Sequence, residues 1–442
     1  MVDKPNSKPE FLCMAPWTHT YLSPQSERRL CCASREPAQN YKQYIDTASG
    51  SGEYNPLSLD EWWNSEQVRS VRRDMMSGNI PDACQVCNHK LLNTDVYRTY
   101  FWHMFQHHYD QIWETTDDTG YTTMKPVSWD YRFSNLCNFK CRMCGDMLSS
   151  SWETEVKKHQ LIDYSNPKDR WLQDPIRSQM RRWQTDAAEK EFGAAIQAGT
   201  VEEIYWVGGE PLMYEQHWDY MQRIIELGYA DRVYARYNTN LSRVDYKGLN
   251  LWNILQQFRD WQVCASIDGT GEIGEYIRTG LNYTRWLENF EQGVSKMQHQ
   301  RQLKLDYTIT LPGLLEIKKM VELSNRLGVE LLTKITFAFD PTILLSPMAL
   351  PRETLDEIID ENLLWLDIHA THLQNSLVDV LKNMKTRPVF GQQWPDSFKE
   401  SAINGKQWLK KLDKIRNGNT MEYILEKDQR LLDWWKKIDK QS

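Results

Sequence analysis

Nine cysteines are the residues best able to do chemistry in this 442-residue chain, and they are clustered. They stand as Cys13; Cys31 and Cys32; Cys84 and Cys87; Cys137, Cys141 and Cys144; and Cys264 alone. The polar, proline-bearing start MVDKPNSKPEF does not read as a secretory leader, and an odd cysteine count without one favours metal ligation over a disulfide framework. In Cys137-Asn-Phe-Lys-Cys141-Arg-Met-Cys144, three thiolates are spaced to fold round one iron–sulfur cube. A four-iron cluster ordinarily takes four cysteines, so three leave one iron open to bind a small molecule. Spacing alone also admits a zinc knuckle short of one ligand, with His159 too distant to complete it.

Other motifs follow in order. Gly208-Gly209-Glu210-Pro211 comes after the apolar run 203–207, and Asn238-Thr239-Asn240 ends the run 232–237. Ser266-Ile-Asp268-Gly269 ends 262–267, with Tyr276-Ile-Arg278-Thr-Gly280 close behind. Together with the three-cysteine spacing, these resemble the signature of the radical S-adenosylmethionine superfamily over about 126–340. The resemblance implies a four-iron, four-sulfur cluster on Cys137, Cys141 and Cys144, with S-adenosylmethionine chelating the open iron through its amino and carboxylate groups. It implies that Gly208, Gly209 and Glu210 receive the amino group. Asn240, Ser266 and Arg278 resemble the residues that hold ribose and carboxylate. The family often carries an aromatic residue just before the last cysteine; here that residue is Met143, whose thioether can pack on adenine.

The elements that must position these residues alternate. Strands are predicted at 127–133, 203–207, 232–238, 262–267, 303–310 and 331–338. Helices are predicted near 147–198 in pieces, 212–228, 242–259, 283–299 and 315–327. Six β-α units predict an α/β fold, an incomplete (β/α)6 TIM-type barrel whose motifs sit at the C-terminal ends of its strands. Period two puts Ser128, Asp130 and Arg132 on one face of a strand. It groups Arg236, Asn238 and Asn240 on another, Lys304, Asp306, Thr308 and Thr310 on a third, and Lys334 with Thr336 on the last. These polar faces are expected inward, either meeting a polar ligand or pairing with each other. Cys264 shares a face with Ser266 and reads as a small buried hydrophobe or, less simply, as a hydrogen-atom donor.

Before the barrel, Cys13-Met-Ala-Pro16-Trp17, then Cys31-Cys32, then Cys84-Gln-Val-Cys87 supply four thiolates for a closed site. The order resembles the auxiliary-cluster module called SPASM, or its shorter twitch form, placed N-terminally. That resemblance implies a hairpin ending in a cysteine, a tryptophan-bearing helix and a second four-iron cluster on Cys13, Cys31, Cys84 and Cys87. Cys32 competes with Cys31, and structural zinc competes with the cluster. An aromatic helix is expected over 92–113; its His103, His107 and His108 read as packing or surface, because no carboxylate or cysteine is spaced to join them. Helices are expected over 352–383, 404–416 and 420–439, with no catalytic motif among them.

The domain boundaries expected are 1–113 for the cysteine-rich module and its connecting helix, 126–340 for the partial barrel and 341–442 for the helical C-terminal region. A net charge of −7 argues against nucleic acid as partner, and no apolar run is long enough to span a membrane. A cytoplasmic enzyme is expected, supplied with electrons by a flavodoxin or ferredoxin and acting on a polar substrate, a peptide or a carbohydrate-like molecule. The rival is a non-catalytic iron–sulfur or zinc scaffold or electron-transfer protein.

Overall fold

The computed structural model describes residues 7–34, 56–87, 97–161, 174–336, 338 and 341–440. The start of the aromatic helix expected over 92–113 falls outside them. Two compact units divide the chain. The first comprises 1–136, 146–236 and 257–261; the second comprises 137–145, 237–256 and 262–442.

The first unit opens with two short strands, β1 (His19–Leu22) and β2 (Arg28–Arg29), paired antiparallel. β1 also pairs parallel with β3 (Ser128–Tyr131), His19 opposite Ser128 and Tyr21 opposite Asp130. β3 in turn pairs parallel with β4 (Glu203–Trp206), and next in order is β5 (Tyr234–Thr239), which runs on into the second unit. β1 and β2 are additions to the six expected strands. β2 has only two residues, and β1, as long as β3 and β4, lies between Pro16 and Pro24 with no motif after it.

The tryptophan-bearing segment folds as a helix pair. Ser58 and Glu61 make a reciprocal capping box at the start of Leu59–Trp63. The next helix, Glu66–Met76, buries Val68, Val71, Arg72, Met75 and Met76, the three-and-four spacing of one helical face. Arg72 is the polar member of that face: its Nε donates to the Pro16 carbonyl at 2.9 Å, and its guanidinium lies 4.9 Å from the Trp63 ring centre. The helix is thereby fixed against the turn that follows Cys13.

The second unit carries the strand order β10–β9–β8–β5, with β8 at Asp260–Ile267, β9 at Leu303–Ile309 and β10 at Glu330–Ile335. β8, β9 and β10 are parallel, and Ser266 lies opposite Asp306. A separate two-stranded hairpin, β6 (Asp245–Tyr246) with β7 (Leu249–Asn250), stands apart. All six expected strands are present within a few residues of their predicted bounds. Among the described residues β2 and β10 each have one strand neighbour, so the sheet is open and no barrel closes. The C-terminal region is helical as expected, with Arg352–His369, Asn375–Thr386, Pro395–Arg416, Met421–Leu425 and Gln429–Lys437. No helix among the described residues is long and apolar enough to cross a membrane.

Candidate active site and cysteine cavity

In the second unit, the loop of Cys137, Cys141 and Cys144 is held by the Tyr276–Gly280 segment. Lys140 N–H donates to the Thr279 carbonyl at 2.7 Å and Arg142 N–H to the Ile277 carbonyl at 2.8 Å. Cys137 and Cys141 are buried. Cys137 Sγ receives the Phe139 N–H at 3.4 Å and faces Asn240 Nδ2 at 3.8 Å, while the same Nδ2 donates to Asn138 Oδ1 at 3.0 Å. Cys141 and Cys144 share a hydrogen bond that raises the Cys141 thiol above its ordinary range and lowers Cys144. Arg278 favours the thiolate of both. Donors and a cation directed at sulfur are what a thiolate ligand set requires.

Arg278 is itself tied to Asp268, with Nε 2.7 Å from Oδ2 and Nη2 donating to Oδ1 at 3.0 Å. The Thr308 N–H also reaches Asp268 Oδ1, at 3.2 Å. Ser266 is half-buried on β8, and Cys264 is buried with its Sγ 3.9 Å from Gln262 Oε1.

In the first unit, Gly208 and Gly209 leave β4 with φ of +81° and +48°. A side chain is excluded at both for a second reason. A Cβ on Gly208 would stand 2.7 Å from the Arg132 side chain, and one on Gly209 would stand 2.5 Å from the Leu136 carbonyl and the Tyr214 hydroxyl. Glu210 is buried; its N–H donates to the Leu136 carbonyl at 2.7 Å, and its carboxylate accepts the Leu212 N–H at 3.1 Å. The glycine turn therefore lies against the residues that immediately precede Cys137. Asn135 is braced in the same unit: its Nδ2 donates to Glu153 Oε2 at 2.9 Å, and its Oδ1 accepts from Arg177 Nη2 at 2.6 Å.

The polar strand faces pair largely among themselves. Arg132 binds Asp130 at 3.0 Å and covers the Tyr21 ring. Glu203, absent from the predicted polar faces, accepts Ser128 Oγ at 2.6 Å and lies 3.6 Å from Arg236, whose guanidinium sits between the Tyr100 and Tyr205 rings. His19 contacts Ser128 Oγ at 2.7 Å, and burial, then the Arg236 and Arg132 charges, hold it neutral with its pKa lowered to about 3. In the second unit, Lys334 reaches Asp306 at 2.7 Å, Asn238 donates to the same carboxylate at 3.0 Å, and Lys304 pairs with Glu330 at 2.7 Å.

The N-terminal cysteines meet in space. Cys13, Cys31, Cys84 and Cys87 line one small cavity, together with Pro16 and Tyr97. Cys32 does not line it: the residue is half-buried, its thiol hydrogen-bonded to Tyr97 and pushed up, chiefly by desolvation. The hairpin β1–β2 and the short 3-10 turn Asp82–Cys87 bring the four together.

Two networks were not visible in the sequence. Arg142, inside the cysteine loop, is paired with Asp413 at 2.8 Å. His107 and His108 both face Glu202, at 2.9 and 2.8 Å, so the missing carboxylate arrives through the fold and not through local spacing.

Residues 131–323 match the sequence model of the Radical SAM superfamily. The match encloses the three-cysteine loop and the glycine turn and leaves the four N-terminal cysteines and the C-terminal helices outside. The family implies a four-iron, four-sulfur cluster and S-adenosylmethionine, and the donors described above fit both. No curated protein matches the chain. Seven chains of solved structures match it. One is TYW1 with a lysine-pyruvate adduct bound, at 13% identity, covering 63% of this chain and 81% of that one with a TM-score of 0.29. Another is Streptococcus suis SuiB bound to S-adenosylmethionine, at 12% identity, covering 65% of this chain and 60% of that one, under two thirds of its length, with a TM-score of 0.36.

Proposed function

We propose that this protein is an enzyme that reductively cleaves S-adenosylmethionine and uses the resulting radical on a polar substrate. A cluster and cofactor bound there would supply one-electron cleavage to methionine and a radical able to take a hydrogen atom from an unactivated C–H bond. Cys137, Cys141 and Cys144 are the cluster ligands. Gly208, Gly209 and Glu210 receive the amino group of the cofactor, and Asn240, Ser266 and Arg278 hold its ribose and carboxylate. The observation that carries the reading is the three-thiol loop with hydrogen-bond donors on Cys137 and a guanidinium beside Cys141 and Cys144.

Cys13, Cys31, Cys84 and Cys87 hold a second four-iron cluster in this reading, supported by their common cavity. Such a cluster suits oxidation or crosslinking of the substrate, with epimerisation a further outcome, on a peptide or a carbohydrate-like molecule. Flavodoxin or ferredoxin supplies the electrons. A non-catalytic scaffold would need neither the glycine turn nor a three-thiol loop. The test is anaerobic reconstitution followed by dithionite and S-adenosylmethionine. Formation of 5′-deoxyadenosine, abolished in Cys141→Ala, is expected; equal turnover in that variant refutes the assignment.

A further inference from the structure

His107 and His108 occupy the 3-10 turn Gln106–His108 between the helices Tyr97–Phe105 and Tyr109–Thr115. Glu202 immediately precedes β4, at the end of that strand opposite the glycine turn. The turn presents both imidazoles to one carboxylate: His107 Nε2 is 2.9 Å from Oε2 and His108 Nε2 is 2.8 Å from Oε1. One donor atom from each of the three residues lies within 4.8 Å of the other two. The rings sit 4.2 Å apart, centre to centre.

The other nitrogen of His108 fixes the electronics. Nδ1 lies 2.8 Å from Gln111 Oε1, one helical turn on. A carbonyl oxygen only accepts, so Nδ1 carries the proton. In the neutral ring Nε2 is then a bare lone pair aimed at a carboxylate oxygen, an arrangement that needs a positive charge between them. A proton can supply it, and so can a metal ion. Metal-ligating histidines characteristically donate their second N–H to a carbonyl or carboxylate in this way, which orients the ring.

We propose that His107, His108 and Glu202 bind a divalent ion of the zinc class. Two imidazoles and a carboxylate suit that ion, with water in the remaining position. Space for the water is at hand: an open depression borders the site, lined by His107, Val127, Thr200 and Glu202 among others. The side chains are 53%, 15% and 28% exposed for His107, His108 and Glu202, so an ion reaches them from solvent without unfolding. The ion would fasten the turn to the start of β4. The turn follows directly on the helix that begins at Tyr97, a residue lining the four-cysteine cavity. The role is structural, and the proposal stands independently of the proposed radical chemistry.

The experiment loads the full chain with iron–sulfur clusters anaerobically, equilibrates it with micromolar zinc and desalts it. Zinc content is then measured, with X-ray absorption at the zinc edge. One retained zinc per chain is expected, with nitrogen and oxygen neighbours near 2.0 Å. His107→Ala/His108→Ala and Glu202→Gln should lose it while keeping their iron. Gln111→Leu should weaken binding by about 10- to 100-fold, the usual effect of removing an orienting partner. Retention of no zinc by the wild type, sulfur neighbours at about 2.3 Å, or equal zinc in the double histidine variant would each overturn the proposal.

Discussion

Replacing Asp413 tests whether the C-terminal helices serve the cysteine loop. Asp413 lies on the helix Pro395–Arg416, and its Oδ1 is 2.8 Å from Arg142 Nη2. Arg142 stands between Cys141 and Cys144, is only 3% exposed, and donates through Nε to the Tyr276 carbonyl at 2.9 Å. Its guanidinium covers the Tyr276 ring at 3.8 Å, and the Met421 N–H fills Asp413 Oδ2 at 2.9 Å. Taking one partner from a buried pair costs about 3–5 kcal/mol, because the remaining charge stays buried without its counter-ion. At about 1.4 kcal/mol per tenfold, opening of the loop becomes some two to three and a half orders of magnitude more frequent. That is a large part of the roughly 5–15 kcal/mol that holds a typical domain folded. Asp413→Asn and Arg142→Met should therefore each lower the denaturation midpoint and the iron bound by the three-cysteine loop, measured in a Cys84→Ala/Cys87→Ala background. The double variant Arg142→Met/Asp413→Leu should recover much of both, since no charge is then left unpaired. Single variants as stable as wild type, or a double variant carrying the full sum of the two losses, would refute the reasoning.

Cys84→Ala/Cys87→Ala should halve the iron of the fully loaded protein, from about eight to about four per chain if both clusters are four-iron cubes, and keep 5′-deoxyadenosine formation; four irons and a sulfur-ligated zinc in the wild type would instead establish a structural metal. Asp306→Asn should destabilise less than Asp413→Asn in the same denaturant assay. Its partner Lys334 is 52% exposed and can hydrate when released, whereas Arg142 cannot. Glu153 supplies a pH test. Burial alone would raise its pKa, but hydrogen bonds from Lys157 and Asn135 and the Arg177 charge pull it down from 4.5 to about 2. A depressed carboxylate stabilises the fold above its unfolded value and loses that contribution as pH falls through the folded one. Stability should thus fall between about pH 5 and pH 2, and Glu153→Gln should flatten that part of the profile.

The sequence shows most where chemistry and period coincide. The six expected strands alternate or end in a motif, and each is present close to its expected place. β2 escaped because two residues are too few to display a period, and β1 because no motif follows it and it gains its place by parallel pairing with β3, over a hundred residues away. The polar strand faces were legible as faces but not as pairs. Asp306 and Lys334 belong to different strands, and only the register of β9 with β10 brings them together. Glu202 joined to His107 and His108, and Asp413 joined to Arg142, are contacts between elements remote in sequence. No local pattern announces such a contact. For the same reason spacing could not choose between Cys31 and Cys32, whereas the fold puts Cys31 on the shared cavity and turns Cys32 to Tyr97.

Residues 134–144 show why buried charge collects around this loop. A chain with three thiols in eight residues has little apolar surface of its own, so hydrophobic packing alone cannot fix it. Directional contacts take over. Before Cys137, within the first unit, Asn135 is gripped by Glu153 and Arg177, and the Leu136 carbonyl by the Glu210 N–H. Beyond Cys137, within the second unit, the backbone of Lys140 and Arg142 pairs with Thr279 and Ile277, and Arg142 is locked by Asp413. The Glu153–Arg177 and Arg142–Asp413 braces bury ionised groups, which is tolerated only when their partners are fixed in place. Arg177 and Glu153 are held by helices of one unit, and Asp413 by a helix of the other. The elements outside the cysteine loop are thereby committed to rigid positions. Loosening any one of them is expected to be felt first as a loss of bound iron, before it is felt as unfolding.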